Sequence, residues 1–477
     1  MANYSNNPTI NNLLHANPLL RFTDGILHWM DDLKLSKRYT LAILTFIGFN
    51  ISFAIRSNYC INYSDNDIEA KYADKMNGWF VLTFFVVQIP SGVISYKYSA
   101  TRLYGLCILG AAIVSFLTPI VVSWYPPIIE IGAFLQGIFQ GAANPAFYSI
   151  WRYWAPPLER STLVTLGYAG TFSGVVIGYQ LSVTFCSMFT WDKILYVYGV
   201  LGVLWYLIWW WLVVEHPSEH PSIIDQEYVY LQQTIDVKPE TLPIPWRKIF
   251  TSMPVWALFV SGFCRSWFLI HLHHATYSQV NEPQPLGLGV HIELHNFLMA
   301  ISLSLAGYAA DRVLKETTIS TTNLRKIFIC GGLLLSAAVF IPTVFDVLFT
   351  PKYINMIMYF VAIVYSISLA GYYANHLDVA ARYAGITMAI SNDISTMGAF
   401  LPHQIEFHIF TLLMSVIIVF TFGAIFYAVY GSAEQQSWAM PVQNGNDQEA
   451  YKNLTSHDDF TDFKDEFSEF RNLEERI

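Results

Sequence analysis

Apolar stretches of about 20 residues, each long enough to cross a bilayer as one helix, recur along most of the chain. Six are predicted in the first half, near 39–60, 78–96, 103–123, 129–150, 162–187 and 195–214. A polar, proline-rich stretch from Glu215 to about Phe250 interrupts them, and six more follow near 252–271, 286–310, 327–346, 354–374, 384–402 and 405–430. The pattern predicts an all-α membrane protein of twelve transmembrane helices in two six-helix halves, 39–214 and 251–430. The rest divides into an N-terminal segment 1–38, a central loop 215–250 and a tail 431–477. The last two spans share 47 residues, so Pro402-His403-Gln404 would form a tight hairpin. One long helix there is the competing reading, and it would move the tail to the opposite side.

Composition agrees with the pattern. Of 477 residues, 54% are hydrophobic and 13% charged, against about 25% charged in soluble domains, which excludes a soluble multidomain enzyme. The formal charge of −9 is concentrated in 431–477, with 11 acids and 4 bases, so there is no basic footprint for nucleic acid. With both termini in the cytosol, 20 of the Lys and Arg residues outside the spans are cytosolic and 4 lie on the far side. That bias supports the even count and the orientation together. The expected setting is therefore a multi-pass protein of a vesicle or plasma membrane, with the lipid bilayer as its surroundings. The first 38 residues lack an apolar run followed by a small-residue cleavage site, so no removable signal peptide is expected. Asn62-Tyr63-Ser64 is a glycosylation sequon in the first far-side loop. The five cysteines are scattered, without CxxC spacing, and read as small core residues.

Polar residues inside spans carry the candidate chemistry. Arg56 and Arg265 interrupt the first apolar run of each half, at a cost of roughly 2.5–3.5 kcal/mol for an arginine at a helix centre. Snorkelling to the interface is the alternative for Arg56, near its helix end. Few acids are available in the spans to pair with them: Glu130, Glu293, Asp393 and Glu406. A bound anion would supply the missing charge, and guanidinium is suited to gripping carboxylate or phosphate at two points. Gln136, Gln140 and Asn144 fall four apart on one face of the fourth helix. They line a pathway or bond between helices, with Gly137 and Gly141 allowing close packing. His376 and Asp378, in Asn375-His376-Leu377-Asp378, are candidates for a hydrogen-bonded gate or a plain helix-end cluster. His291 and His295 are four apart but lack HExxH spacing, so an interfacial cluster outweighs a metal site. Phe460, Phe463, Phe467 and Phe470 trace one helix face in the acidic tail, where disorder or a cytosolic partner is expected.

From about Tyr39 to Trp438 the chain resembles the anion/cation symporters of the major facilitator superfamily, in the vesicular glutamate transporter branch. Trp154-Ala-Pro-Pro-Leu-Glu-Arg-Ser161 resembles the family signature. Phe263-Cys-Arg-Ser-Trp267, Ser320-Thr-Thr-Asn-Leu-Arg-Lys326 and Asn375-His-Leu-Asp378 resemble the glutamate branch. The resemblance implies the major facilitator fold, two pseudo-symmetric bundles rocking about a central site, and no enzymatic activity. It implies Arg56 and Arg265 as substrate-binding groups and Glu159 and Arg160 as part of a gating loop. It places Asn77, Ala133 and Gln140 where that branch has a histidine, an arginine and a glutamate. The expected function is secondary transport of a small organic anion, glutamate first, driven by membrane potential with altered or lost proton control. The rivals are a sodium-coupled symporter of phosphate or another organic anion, and a transport-dead receptor or scaffold. No cofactor is expected; H+, Na+ and Cl− are the candidate coupling ions.

Overall fold

The computed structural model describes residues 36–57, 67–235, 242–278, 285–344, 351–400 and 409–440. Twelve long helices are present among them. The first six are α1 (Lys37–Arg56), α2 (Asp67–Lys97), α3 (Ala100–Val122), α4 (Ile129–Trp154), α5 (Arg160–Met188) and α6 (Trp191–Leu212). Two shorter helices, α7 (Asp225–Thr234) and α8 (Trp246–Thr251), lie in the connector. The second six are α9 (Met253–Ser278), α10 (Pro285–Glu316), α11 (Thr321–Val344), α12 (Pro351–Ala380), α13 (Ala384–Phe400) and α14 (Ile409–Tyr430).

The halves repeat one packing scheme. In the first, α2 packs on α4, α1 on α5, α3 on α4 and α6, and α1 on α6. Eight helices later α10 packs on α12, α9 on α13, α11 on α12 and α14, and α9 on α14. The bundles meet through α5 against α10 and α2 against α13, two seams that the same relation exchanges. Large apolar side chains such as Val86, Leu305 and Ile418 remain exposed on the outside, where hydrocarbon replaces water as the solvent.

Glycines set the closest approaches. A Cβ on Gly137 of α4 would meet Thr83 Oγ1 at 2.0 Å and the Phe80 carbonyl at 2.4 Å, both on α2. The packing role expected of Gly137 is thus visible, since only a bare Cα lets the two backbones approach this closely. The polar stripe breaks the apolar run of α4, which is not among the nine stretches of the described residues apolar enough to cross a membrane by length and composition.

The structure resolves the 384–430 region into two helices. The start of α13 and the segment after α14 lie at one end of the molecule: Gln436 N donates to the Val379 carbonyl at the end of α12, and Ala433 N to Thr322 Oγ1 at the start of α11. This end also holds α7 and is called the connector face; the opposite end is the far face. The start of α1 lies there too, where the Lys37 and Arg38 amides donate to the Glu227 carboxylate on α7.

Two segments outside the spans carry structure of their own. In the central stretch α7 holds the start of α1, and in the segment 431–440 after α14 Trp438 is buried. Several helices also outrun their apolar spans: α10 continues to Glu316, carrying Asp311, Arg312 and Lys315. Hydropathy detects only the lipid-immersed part of a helix.

Candidate functional site

The signature Trp154–Ser161 makes the turn between α4 and α5 and places charge between the bundles. At the first turn of α5, the backbone amides of Ser161 and Thr162 donate to the Asp311 carboxylate of α10, at 3.2 and 2.6 Å. A helix N-terminus favours such an anion through its dipole and its unpaired amides. Arg160 pairs with Asp378 at 2.8 Å, and Asp378 also takes the buried Arg325 at 2.7 Å. Arg325 donates in addition to Ser161 Oγ at 2.8 Å. Glu159 accepts from Arg38 at 2.7 Å and from Lys315 at 3.3 Å. The connector face is therefore held shut by a charged lock linking α1, α5, α10, α11 and α12. Asp311 and Arg325 were not singled out by sequence reasoning. Their partners are 150 and 53 residues away, a separation that leaves no local pattern.

Asn375, His376 and Asp378 do not form one gate. Asp378 belongs to the lock, while Asn375 donates to Tyr427 Oη and to the Ser432 carbonyl. His376 turns inward, fully buried, with neither ring nitrogen hydrogen-bonded. At about 100° per residue Asn375 and Asp378, three apart, share one side of the helix, and His376 is turned away from both.

His376 belongs to a central aromatic cage. Its ring centroid lies 5.0 Å from that of Tyr372 on α12 and 5.9 Å from that of Tyr148 on α4. Tyr168 on α5 packs 4.1 Å from Tyr373 across the bundle boundary. Arg265 enters from α9, 9% exposed, and donates to Tyr373 Oη at 3.0 Å. Its guanidinium carbon lies 5.3 and 5.7 Å from the ring centroids of Tyr372 and Tyr373. Such cation–π contacts recover part of the lost hydration, but no carboxylate pairs with Arg265 among the described residues and its Nε has no hydrogen-bond partner. Tyr148 Oη is likewise unpartnered. Sequence reasoning found the arginine and missed the tyrosines, which inside an apolar helix read as ordinary core.

Arg56 is placed differently. It lies in the last turn of α1, exposed, with its guanidinium carbon 4.7 Å from the Phe80 ring and 5.6 Å from the Phe84 ring. The two arginines are therefore unequal, one sealed in the cage and one at the far end of its helix.

The helix 4 stripe divides as well. Gln136 donates to the Ala111 carbonyl of α3 at 2.8 Å, a bond between helices, and accepts from Gln140 of its own helix at 2.9 Å. Gln140 Oε1 and Asn144 Oδ1 are buried and unpartnered. Asn77 is exposed near the outer part of α2. Asn62, Glu406, Pro402-His403-Gln404 and the tail phenylalanines lie outside the described residues, as do the side chains of His291 and Glu293. No group of three or more metal-ligating side chains is present among the described residues.

Comparison with known proteins places this geometry in context. Residues 39–402 match the family described as Major Facilitator Superfamily. The probable vesicular glutamate transporter eat-4 of Caenorhabditis elegans is 33% identical over 90% of this chain and 80% of its own length. Vesicular glutamate transporter 1 of Bos taurus is 32% identical over 86% of this chain and 79% of its own. The solved structure of the proton:xylose symporter XylE superposes with a TM-score of 0.62 at 12% identity, covering 84% of this chain and 97% of that one. At that identity the likeness is one of fold.

Proposed function

This chain belongs to the major facilitator superfamily, in the branch that holds the vesicular glutamate transporters, and from that premise we propose that it carries L-glutamate across a vesicle membrane. As a secondary transporter it is a multi-pass membrane protein and not an enzyme. The observation that carries the substrate class is Arg265, a buried guanidinium with no carboxylate of the chain paired to it among the described residues. Breaking a buried ion pair by removing one partner costs about 3–5 kcal/mol, so a site built with the cation alone favours an incoming anion. The Tyr148, Tyr168, Tyr372 and Tyr373 rings come from both bundles. A bound carboxylate therefore touches both halves and is positioned to sense their rocking.

In the proposed cycle the far face opens onto the cage and the connector face is the cytosolic one, with both termini there. Release and reloading on that side require Arg160 and Asp378 to part. Arg56 attracts the anion at the far end of α1. One anionic charge moving through 100 mV corresponds to about 2.3 kcal/mol, so a lumen-positive potential concentrates substrate roughly 50-fold with no coupled ion. Gln140 and Asn77 cannot take up a proton near neutrality, and the regulation their branch derives from titratable groups at these positions is altered here.

Uptake of labelled glutamate, phosphate and sialic acid into proteoliposomes under an imposed potential, with and without pH or sodium gradients, tests the proposal. Potential-driven glutamate accumulation that is lost in Arg265→Ala is the expected result. Sodium-dependent phosphate uptake would overturn the substrate, and binding without accumulation would overturn transport itself.

A further inference from the structure

One buried carboxylate belongs to neither the lock nor the cage. Asp393 on α13 is 6% exposed, its Oδ1 has no hydrogen-bond partner, and it forms no ion pair among the described residues. Its position follows from helix register. A Cβ on Gly92 of α2 would meet the Gly385 carbonyl, Ile386 Cα and Ala389 Cβ, and one on Gly385 would meet Ser149 Oγ and Ser95 Oγ. Asp393 lies four residues beyond Ala389, on the same face of α13 and turned toward α2. The two helices run in opposite senses, since α2 ends and α13 begins at the connector face. Asp393 is eight residues past Gly385, about 12 Å along its helix, and Gln88 is seven residues before Ser95, about 10 Å along α2. The two side chains therefore occupy the same depth of the same seam. Gln88 is fully buried, and both its Oε1 and its Nε2 are unpartnered.

The chemistry of the pair is asymmetric. An ionised carboxylate only accepts hydrogen bonds and can satisfy Gln88 Nε2 alone, leaving Oε1 orphaned and a bare charge between two helices. A protonated carboxyl offers one donor and one acceptor and can satisfy both ends of the amide.

We propose that Asp393 is a proton-binding site in the α2–α13 seam, which takes up one proton to form the neutral carboxyl as the seam closes and returns it when the seam opens. Transport is thereby linked to protons through a helix other than those carrying Asn77 and Gln140. The coupling to transport rests on the transporter reading above, whereas protonation of the seam does not. Between Lys75 and Tyr96, α2 presents no titratable group. Titratable groups on the other neighbours include Tyr148 and Arg152 on α4, Cys264 and Arg265 on α9, and Tyr372 and His376 on α12. Of these, His376 is the one whose ordinary range overlaps the pH interval used.

The test uses the full-length protein reconstituted in lipid between about pH 5 and 8. Difference infrared spectra of wild type are expected to show a titrating protonated-carboxyl band that Asp393→Asn lacks and His376→Gln retains. Spin labels on exposed Val86 and Met397 are expected to report a shorter α2–α13 distance at acid pH in wild type and no response in Asp393→Asn. An unchanged band, or the same distance response in both proteins, overturns the proposal. Should Asp393→Asn fail to fold, Gln88→Leu is read instead: a shifted midpoint of the band supports the pairing, and an unmoved one overturns it. Seam protonation without uptake of any anion would leave this site standing and defeat the transporter reading. Uptake whose pH dependence survives Asp393→Asn would do the reverse.

Discussion

Arg325 and Arg265 are both buried arginines in the second bundle, 1% and 9% exposed, yet their surroundings are opposite. Arg325 is answered from within the chain, by Asp378 at 2.7 Å and Ser161 Oγ at 2.8 Å. Arg265 meets a tyrosine hydroxyl and two aromatic faces. A cation neutralised by its own protein is an internal fastening, here one that must be undone for the bundles to move. A cation supplied only with aromatic faces and neutral hydroxyls is left to be completed from outside.

The largest effects should separate these two roles. Arg265→Ala removes the charge that the anion answers, and losses of about 2–5 kcal/mol for one half of a buried charged pair correspond to at least a 30-fold fall in apparent affinity, read by substrate binding in detergent. Thermal unfolding should move little in that variant. Asp378→Ala should do the opposite by stranding Arg325, costing about 3–5 kcal/mol of stability, visible as a lowered melting temperature. Replacing Asp378 and Arg325 together by apolar residues should recover most of it. Equal stability losses in Arg265→Ala and Asp378→Ala would erase the distinction.

Smaller effects sharpen it. Gly137→Ala places a methyl where Thr83 Oγ1 and the Phe80 carbonyl already stand, and overpacking of this kind costs about 1–3 kcal/mol; a melting curve checks it, with substrate affinity of the folded fraction unchanged. Arg56→Ala should reduce the uptake rate only a few-fold, since an exposed cation–π contact contributes about 0.5–1 kcal/mol and the charge acts mainly by attraction at a distance. That attraction is screened, so raising ionic strength should narrow the gap between Arg56→Ala and wild type while leaving the Arg265→Ala defect intact. A loss as large as that of Arg265→Ala would make the two arginines an equal pair after all. Lys315→Ala should change stability by no more than about 0.5 kcal/mol, because its contact with Glu159 is half exposed.

Legibility differed with the range of the interaction. Span number, the repeat of six plus six and the placing of Arg56 and Arg265 at the first helix of each half follow from residues read in order. Bilayer thickness imposes a length, and an arginine in an apolar run is conspicuous wherever it sits. The Trp154–Ser161 signature was also visible, though only as a resemblance; its physical meaning, a helix start gripped by Asp311, comes from contact with another bundle. His376 and Asp378, two residues apart, read as one cluster because linear proximity does not record the turn that sends one to the cage and the other to the lock.

The sequence alone determined that this chain lives in lipid, that its apolar runs fall in two sets about a polar connector, and that it carries cations with few intramembrane acids to match them. Those properties are sums over short windows, which the bilayer as solvent reads directly. Which cation is locked and which is left open, and which tyrosines surround it, were decided only when helices far apart in the chain packed together. Burial and pairing are properties of neighbours in space, and the packing of twelve similar apolar helices is set by side-chain fit rather than by any local pattern.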